Sequence, residues 1–291
     1  MLVVNMRGKS IITGLTVAVI ATVIIAGLSY TPAKAEISFE TGKPSVPDEI
    51  WVLKKADNII TENRVTDVAS IFGVRGDPVQ IEAGWLMEEN GSEPGTSREL
   101  RVYEWGGFRY LDQYQMSHRF IRPEDFPSDN ECAEIADQFI ENLRNKGFIP
   151  QNLNISFNDV VADTISNPST TYFTNKHVNY SFSYDGLLPF VGGMAKLRVY
   201  LNENGEITGF FGDFYQFENL RKVQVLQPED AILNVIDSNT VRVQVESIRL
   251  VYLVGDPDNP YIEPLYDVIM KCEMENGFQV SSAATVPAFE E

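Results

Sequence analysis

The chain has 291 residues, of which 41 are Asp or Glu and 23 are Lys or Arg, so its formal net charge is −18. Hydrophobic residues make up 44% of it, and this composition excludes both an intrinsically disordered chain and a membrane protein with many spans. The acidic excess also argues against a nucleic-acid partner, because phosphate binding needs clustered Lys and Arg.

The first predicted element is an apolar helix, since residues 11–30 carry no charge. At about 1.5 Å per residue, its length nearly matches a hydrocarbon core of about 30 Å. Arg7 and Lys9 precede it, which favours an N-terminus in the cytoplasm and export of everything that follows. Ala33-Lys34-Ala35 has the form of a cleavage site, so residues 1–35 are either a signal peptide or a single-pass membrane anchor. The predicted location is therefore extracytoplasmic, secreted or membrane-anchored.

A linker is predicted over residues 36–47, which are rich in proline and polar residues. Three α+β units are predicted after it, over residues 48–120, 121–220 and 221–291. Each unit is expected to begin with a helix and continue as three or four antiparallel strands. The predicted fold class is therefore α+β, with repeated helix-then-antiparallel-meander units that follow one N-terminal apolar helix.

The first unit is expected to open with a helix near Asp48. Apolar residues recur there at steps of three and four, and a second apolar run ends at Gly73. The apolar residues of the first run are Ile50, Leu53, Ala56, Ile59 and Ile60. Alternation then predicts strands over residues 79–87, 100–105 and 108–110.

The second unit has the clearest helix start, because Ser128 and Glu131 have the spacing of a capping box. Strands are predicted over residues 155–161, 178–184, 195–201 and 207–214. In the third unit, Pro228 opens a short helix. Strands are then expected over residues 243–254, 262–272 and 278–286.

Two short segments carry a resemblance to a known family. Residues 188–199 (LPFVGGMAKLRV) followed by residues 204–207 (NGEI) resemble the central strand pair of PepSY-like modules, found in extracytoplasmic regulators of the YpeB and YycI type. Pro264-Leu265-Tyr266 resembles the closing hairpin of the same modules. With the helix at Pro228, the resemblance covers roughly residues 128–291. It implies a tethered or secreted module that binds proteins, often to regulate a peptidase or a sensor kinase, with no catalytic residues to transfer.

No catalytic, cofactor or metal site is predicted. His118 and His177 are far apart and lie in no zinc-binding pattern, and the common nucleophile and phosphate-loop motifs are absent. Asp256, Asp258 and Asn259 crowd one turn, for which a rigid hairpin is favoured over a calcium site. Cys132 and Cys272 are expected as buried free thiols, with a disulfide as the alternative that export would permit.

A partner surface is predicted where aromatic residues crowd one strand end and where a glycine pair permits close backbone approach. The candidate residues are Leu188, Phe190, Gly192, Gly193, Phe210, Phe211, Phe214 and Tyr215. Packing against a neighbouring unit is the alternative for the aromatic cluster. The predicted function is a non-enzymatic extracytoplasmic binding or regulatory module with a protein or peptide partner, and with a membrane contact through residues 11–30 if they are not cleaved. An exported hydrolase using paired carboxylates is the alternative.

Overall fold

The computed structural model describes residues 35–56, 60–91, 96–113, 121–167, 170–184, 186–192, 195–254 and 259–290. β-Strands dominate this part of the chain. In chain order they are β1 (Glu36–Phe39), β2 (Glu49–Lys55), β3 (Val79–Ile81), β4 (Gly84–Glu89), β5 (Arg98–Tyr103), β6 (Gly106–Asp112), β7 (Leu153–Asn167), β8 (Thr170–Tyr184), β9 (Phe190–Val191), β10 (Leu197–Leu201), β11 (Ile207–Tyr215), β12 (Phe217–Gln224), β13 (Thr240–Leu253), β14 (Tyr261–Ile262), β15 (Pro264–Met274) and β16 (Gln279–Pro287). The helices are α1 (Glu62–Phe72), α2 (Asp129–Asn145) and α3 (Pro228–Leu233).

These strands form three sheets. The largest has eight antiparallel strands in the order β3-β4-β5-β6-β11-β10-β8-β7. The second has the order β1-β13-β15-β16, with β9 also paired to β13; β1 and β9 both run parallel to β13. The third is small, with the order β12-β2-β14.

Local sequence explains where the helices begin and end. Thr61 caps α1 by accepting a hydrogen bond from the Arg64 backbone N–H at 3.3 Å, and Gly73 ends that helix with a φ of 66°. α2 begins with the predicted capping box, in which Ser128 and Glu131 each accept the backbone N–H of the other. α3 has Pro228 in its first turn, where a missing N–H costs no helical hydrogen bond.

Hydrophobic side chains of the described residues form two buried clusters. In the larger one, α1 and α2 cover one face of the eight-stranded sheet, and the Phe72 ring stacks on Tyr110 with centroids 4.3 Å apart. In the smaller one, α3 covers the second sheet. Its buried side chains are Ala231, Ile232, Val243, Val245, Tyr266, Val268, Met270, Val286 and Ala288.

The predicted fold class is wrong in its central feature, because the structure is mostly β-sheet and contains no series of helix-then-meander units in its described residues. The eight-stranded sheet joins strands from residues 79–112 with strands from residues 153–215. β6 pairs directly with β11, although α2 lies between these two strands in the sequence. The sheet is therefore continuous across the boundary that was predicted between the first and second units. Alternation identifies strands, but it does not identify which strands pair.

The helix predicted to begin near Asp48 is also wrong. Residues 49–55 form β2, and Ile50, Val52 and Leu53 are buried there between β12 and β14. A short apolar run that is buried on both faces satisfies helical spacing by coincidence, and its β-branched and aromatic content favours a strand.

Part of the predicted linker is a strand as well. Residues 36–39 form β1, which pairs with residues 242–245 of β13. The predicted apolar helix at residues 11–30 lies outside the described residues. None of the described helices has the length and hydropathy needed to cross a membrane.

Candidate functional site

The candidate site is on the face of the eight-stranded sheet that the helices leave uncovered. Phe108, Phe210 and Val199 point to the helices and are buried, so the residues next to them in sequence point to the opposite face. Strand register places four of these residues in one row across β5, β6, β11 and β10. We call this the basic row; it consists of Arg101, Arg109, Phe211 and Arg198.

Arg109 is the most firmly held member of the basic row. Its guanidinium lies between the rings of Tyr103 and Phe211, 5.3 Å from each centroid, and it donates to both carboxylate oxygens of Asp213 at 3.0 and 3.2 Å. Asp213 is 0% exposed, and burial raises the pKa of its carboxyl while Arg109 opposes that shift. These contacts hold the Arg109 guanidinium against the Phe211 ring at the centre of the row.

Arg198 is positioned differently. Its Nε donates to the Asn179 side-chain oxygen at 2.6 Å, and one terminal nitrogen donates to the Tyr200 hydroxyl at 3.0 Å. Lys196 directly precedes β10, two residues before Arg198, and is exposed. Within the described part of the chain, neither Arg198 nor Lys196 has a carboxylate within ion-pair distance, whereas Arg101 and Arg109 are paired with Glu99 and Asp213. This end of the site therefore has positive charge available for a ligand.

A shallow cavity of about 290 Å³ lies beside these two cations. Its lining residues are Asn158, Asp159, Asn179, Tyr180, Ala195, Lys196, Leu197 and Arg198. Asp159 accepts a hydrogen bond from the Asn179 amide at 2.6 Å, so its charge is partly satisfied within the protein. The cavity is suited to a polar group that carries a carboxylate and lies flat on the sheet.

His177 borders the same face and is buried, with its ring 5.0 Å from that of Tyr200. Its Nδ1 is 3.6 Å from an Asp163 oxygen, which is too long for a hydrogen bond. Burial lowers the pKa of His177, Arg198 lowers it further, and Asp163 opposes both effects. The lowered pKa favours the neutral form of His177, whose imidazole packs against Tyr200 and supports this face of the sheet.

The predicted partner residues are divided between this face and the interior. Phe211 belongs to the basic row. Phe190, Phe210, Phe214 and Tyr215 are 0 to 3% exposed and pack in the larger hydrophobic cluster. Leu188 is half-buried and Gly192 is exposed. The Gly192 backbone has a φ of 107°, and it passes so close to Val254 that an added Cβ would lie 2.5 Å from the Val254 carbonyl oxygen. Gly193 lies outside the described residues.

The other residues singled out in the sequence form no second site within the described part of the chain. Cys132 and Cys272 are both free thiols, and burial raises the pKa of each. Cys132 is buried as predicted, whereas Cys272 is only half-buried. His118, Asp256 and Asp258 lie outside the described residues. Among the residues that are described, no group of three or more His, Cys, Asp or Glu is arranged to hold a metal ion.

A larger cavity, of about 440 Å³, lies where α1 begins. It is lined by Arg64 and by aromatic residues that include Trp105, Phe148 and Tyr215. The Arg64 guanidinium lies 4.2 Å from the centre of the Phe148 ring and donates to the Gly147 carbonyl at 2.6 Å, so its cation is already engaged. The lining includes no carboxylate among the described residues.

No protein-family model and no curated protein matches the chain. Two solved structures are similar to it. One is an uncharacterized protein from Eubacterium rectale ATCC 33656, with 13% identity, a TM-score of 0.43, and coverage of 89% of this chain and 90% of that one. The other is the Bacillus megaterium YpeB C-terminal domain, with 13% identity, a TM-score of 0.38, and coverage of 79% of this chain and 99% of that one.

The basic row was not predicted from the sequence, because its members come from four strands whose register only the folded sheet defines. One sequence signal was present. Arg198 and Lys196 alternate with the apolar residues of β10, which places two cations on one face of a predicted strand in an acidic chain.

Proposed function

We propose that the chain is a non-enzymatic binding module that acts outside the cytoplasm and regulates a partner by contact. The partner is an extended protein segment with acidic side chains, which lies across the basic row. The observation that supports this most directly is the row itself, in which three arginines flank one phenylalanine in register on a chain of net charge −18. Arg and aromatic side chains are enriched at protein–protein interfaces.

The other parts of the proposal rest on sequence. The extracytoplasmic location rests on the uncharged residues 11–30 and the cations Arg7 and Lys9 that precede them. The regulatory role rests on the resemblance of residues 188–199 and 204–207 to PepSY-like strand pairs.

Site-specific photocrosslinking in cells tests the proposal. A photoreactive phenylalanine analogue replaces Phe211 in the full chain. The matched control places it at Phe278, an exposed phenylalanine in the turn between β15 and β16. We expect position 211 to capture a partner that position 278 does not, and we expect the captured segment to contain Asp or Glu.

Two double variants that reverse charge provide a second test of the proposed function. Lys196→Glu with Arg198→Glu should abolish the crosslink at position 211. Arg75→Glu with Lys146→Glu makes the same change of charge at two exposed residues away from the row and should leave it intact. An equal yield from both double variants, or a substrate turnover that depends on Asp159, would overturn the proposed function.

A further inference from the structure

β16 is an edge strand of the second sheet and lies apart from the basic row. β16 runs for nine residues along β15 without a register shift, and no described strand pairs with its other edge. From Gln279 to Phe289 the sequence contains no charged residue. A long, regular and uncharged edge is a template for another strand.

The other long edge of the fold shows what a protected edge looks like. β7 closes the eight-stranded sheet, and its pairing with β8 is interrupted by two register shifts, one near Asp159 and one after Asp163. Bulges and charged side chains of this kind prevent unwanted pairing. β16 has neither feature.

Hydrogen bonds at the two ends of the β15–β16 pair show which backbone groups of β16 are free for a new strand. The Ala288 N–H donates to the Pro264 carbonyl at 3.2 Å, and the Met274 N–H donates to the Phe278 carbonyl at 2.9 Å. Because bonding alternates along an antiparallel pair, the even-numbered residues of β16 bond to β15. The N–H and C=O groups of Gln279, Ser281, Ala283 and Thr285 therefore point to the open edge.

The sequence of β16 is nearly symmetric about Ala283. If two copies of β16 pair antiparallel with Ala283 opposite Ala283, then Val280 lies opposite Val286 and Ser281 lies opposite Thr285. Ser282 then lies opposite Ala284. The pairs are thus Val with Val, Ser with Thr, Ser with Ala and Ala with Ala, all of similar size and none charged. A two-fold interface requires such self-complementarity.

We propose that β16 is a homodimer interface, at which two chains join their second sheets into one continuous sheet. The occupant of the edge is a second copy because the symmetric pairing places no charge at the contact, although each chain carries −18. Val280, now 41% exposed, gains the Val286 side chain of the partner copy as a neighbour. Pro287 has no N–H, and it ends the new pairing at the strand's last residue.

A cysteine placed on the two-fold axis tests this in the full chain. In the dimer, the two Ala283 Cα atoms lie about 5.5 Å apart, which is within disulfide range. Ala283→Cys should therefore give a species of twice the 32.7 kDa chain mass under mild oxidation. Ile269→Cys is the matched control. Its exposed side chain lies on the same face and in the same row, but about 14 Å from its copy, too far to crosslink.

A proline variant supplies the second measurement. Ser281→Pro removes an outward N–H and leaves the ladder to β15 intact. Sedimentation velocity in mild detergent should show a dimer for the native chain and a monomer for Ser281→Pro, with unchanged circular dichroism. The proposal is overturned if the native chain is monomeric at its highest soluble concentration, if Ile269→Cys crosslinks as efficiently as Ala283→Cys, or if Ser281→Pro remains dimeric.

Discussion

The ion pair between Arg109 and the buried Asp213 should make a large contribution to the free energy of unfolding. Asp213 is fully buried, and Arg109 is the cation that contacts it. Arg109→Met would leave a buried carboxylate without its partner, so we expect a loss of about 3–5 kcal/mol in the free energy of unfolding. Arg101→Met, in an exposed pair with Glu99, should cost about 1 kcal/mol or less. Urea denaturation of both variants measures the difference, and equal losses would contradict the role given to burial.

The pH dependence of stability reflects the burial of the Asp213 carboxyl. Burial raises the pKa of Asp213 above its ordinary value of 3.8, so the folded state holds this proton to higher pH than the unfolded state does. The contribution of Asp213 to stability therefore falls as pH rises from the ordinary to the raised pKa. Relative to Asp213→Asn, the native chain should lose stability over that interval and show no further change above it. A difference that stays constant over the acid range would be evidence against the raised pKa.

At the scale of elements, α2 depends on its first turn. Ser128 accepts the Glu131 N–H at 3.3 Å, and the Glu131 carboxylate accepts the Ser128 N–H at 2.8 Å. Ser128→Ala should lower the free energy of unfolding by about 1 kcal/mol, because it leaves a helix donor unsatisfied. Ser70→Ala, an exposed position inside α1, should change it by less than about 0.5 kcal/mol. Thermal unfolding followed by circular dichroism distinguishes the two.

The same elements show what sequence can predict. The capping box of α2, the opening of α3 at Pro228 and the alternation of Val178 and Tyr180 in β8 were confirmed, because each depends on neighbours in the chain. The pairing of β6 with β11 depends on residues about a hundred positions apart, and no local pattern contains it. For the candidate site, the crowded aromatic residues identified Phe211 but also Phe210, Phe214 and Tyr215, which are buried in the core. The three arginines of the basic row become neighbours only in the folded sheet.

Net charge acts at the scale of the whole molecule. A chain of −18 is destabilised by repulsion among its carboxylates, and salt screens that repulsion. Raising the ionic strength from about 0.01 to 0.15 M shortens the Debye length from about 30 to 8 Å, so the midpoint of thermal unfolding should increase. Sodium and potassium chloride should give the same increase if screening is the cause. A midpoint that falls or stays constant would show that the ion pairs outweigh the repulsion.

The pairing of β1 with β13 joins the beginning of the described chain to a strand about two hundred residues later, as in the contact of Ser38 with Val243. A ribosome makes residues 36–39 long before residues 242–245. β1 therefore has no partner strand until most of the protein has been translated. Completion of the second sheet is thus one of the last steps in maturation, and a chain truncated before residue 240 would leave β1 with no strand to join.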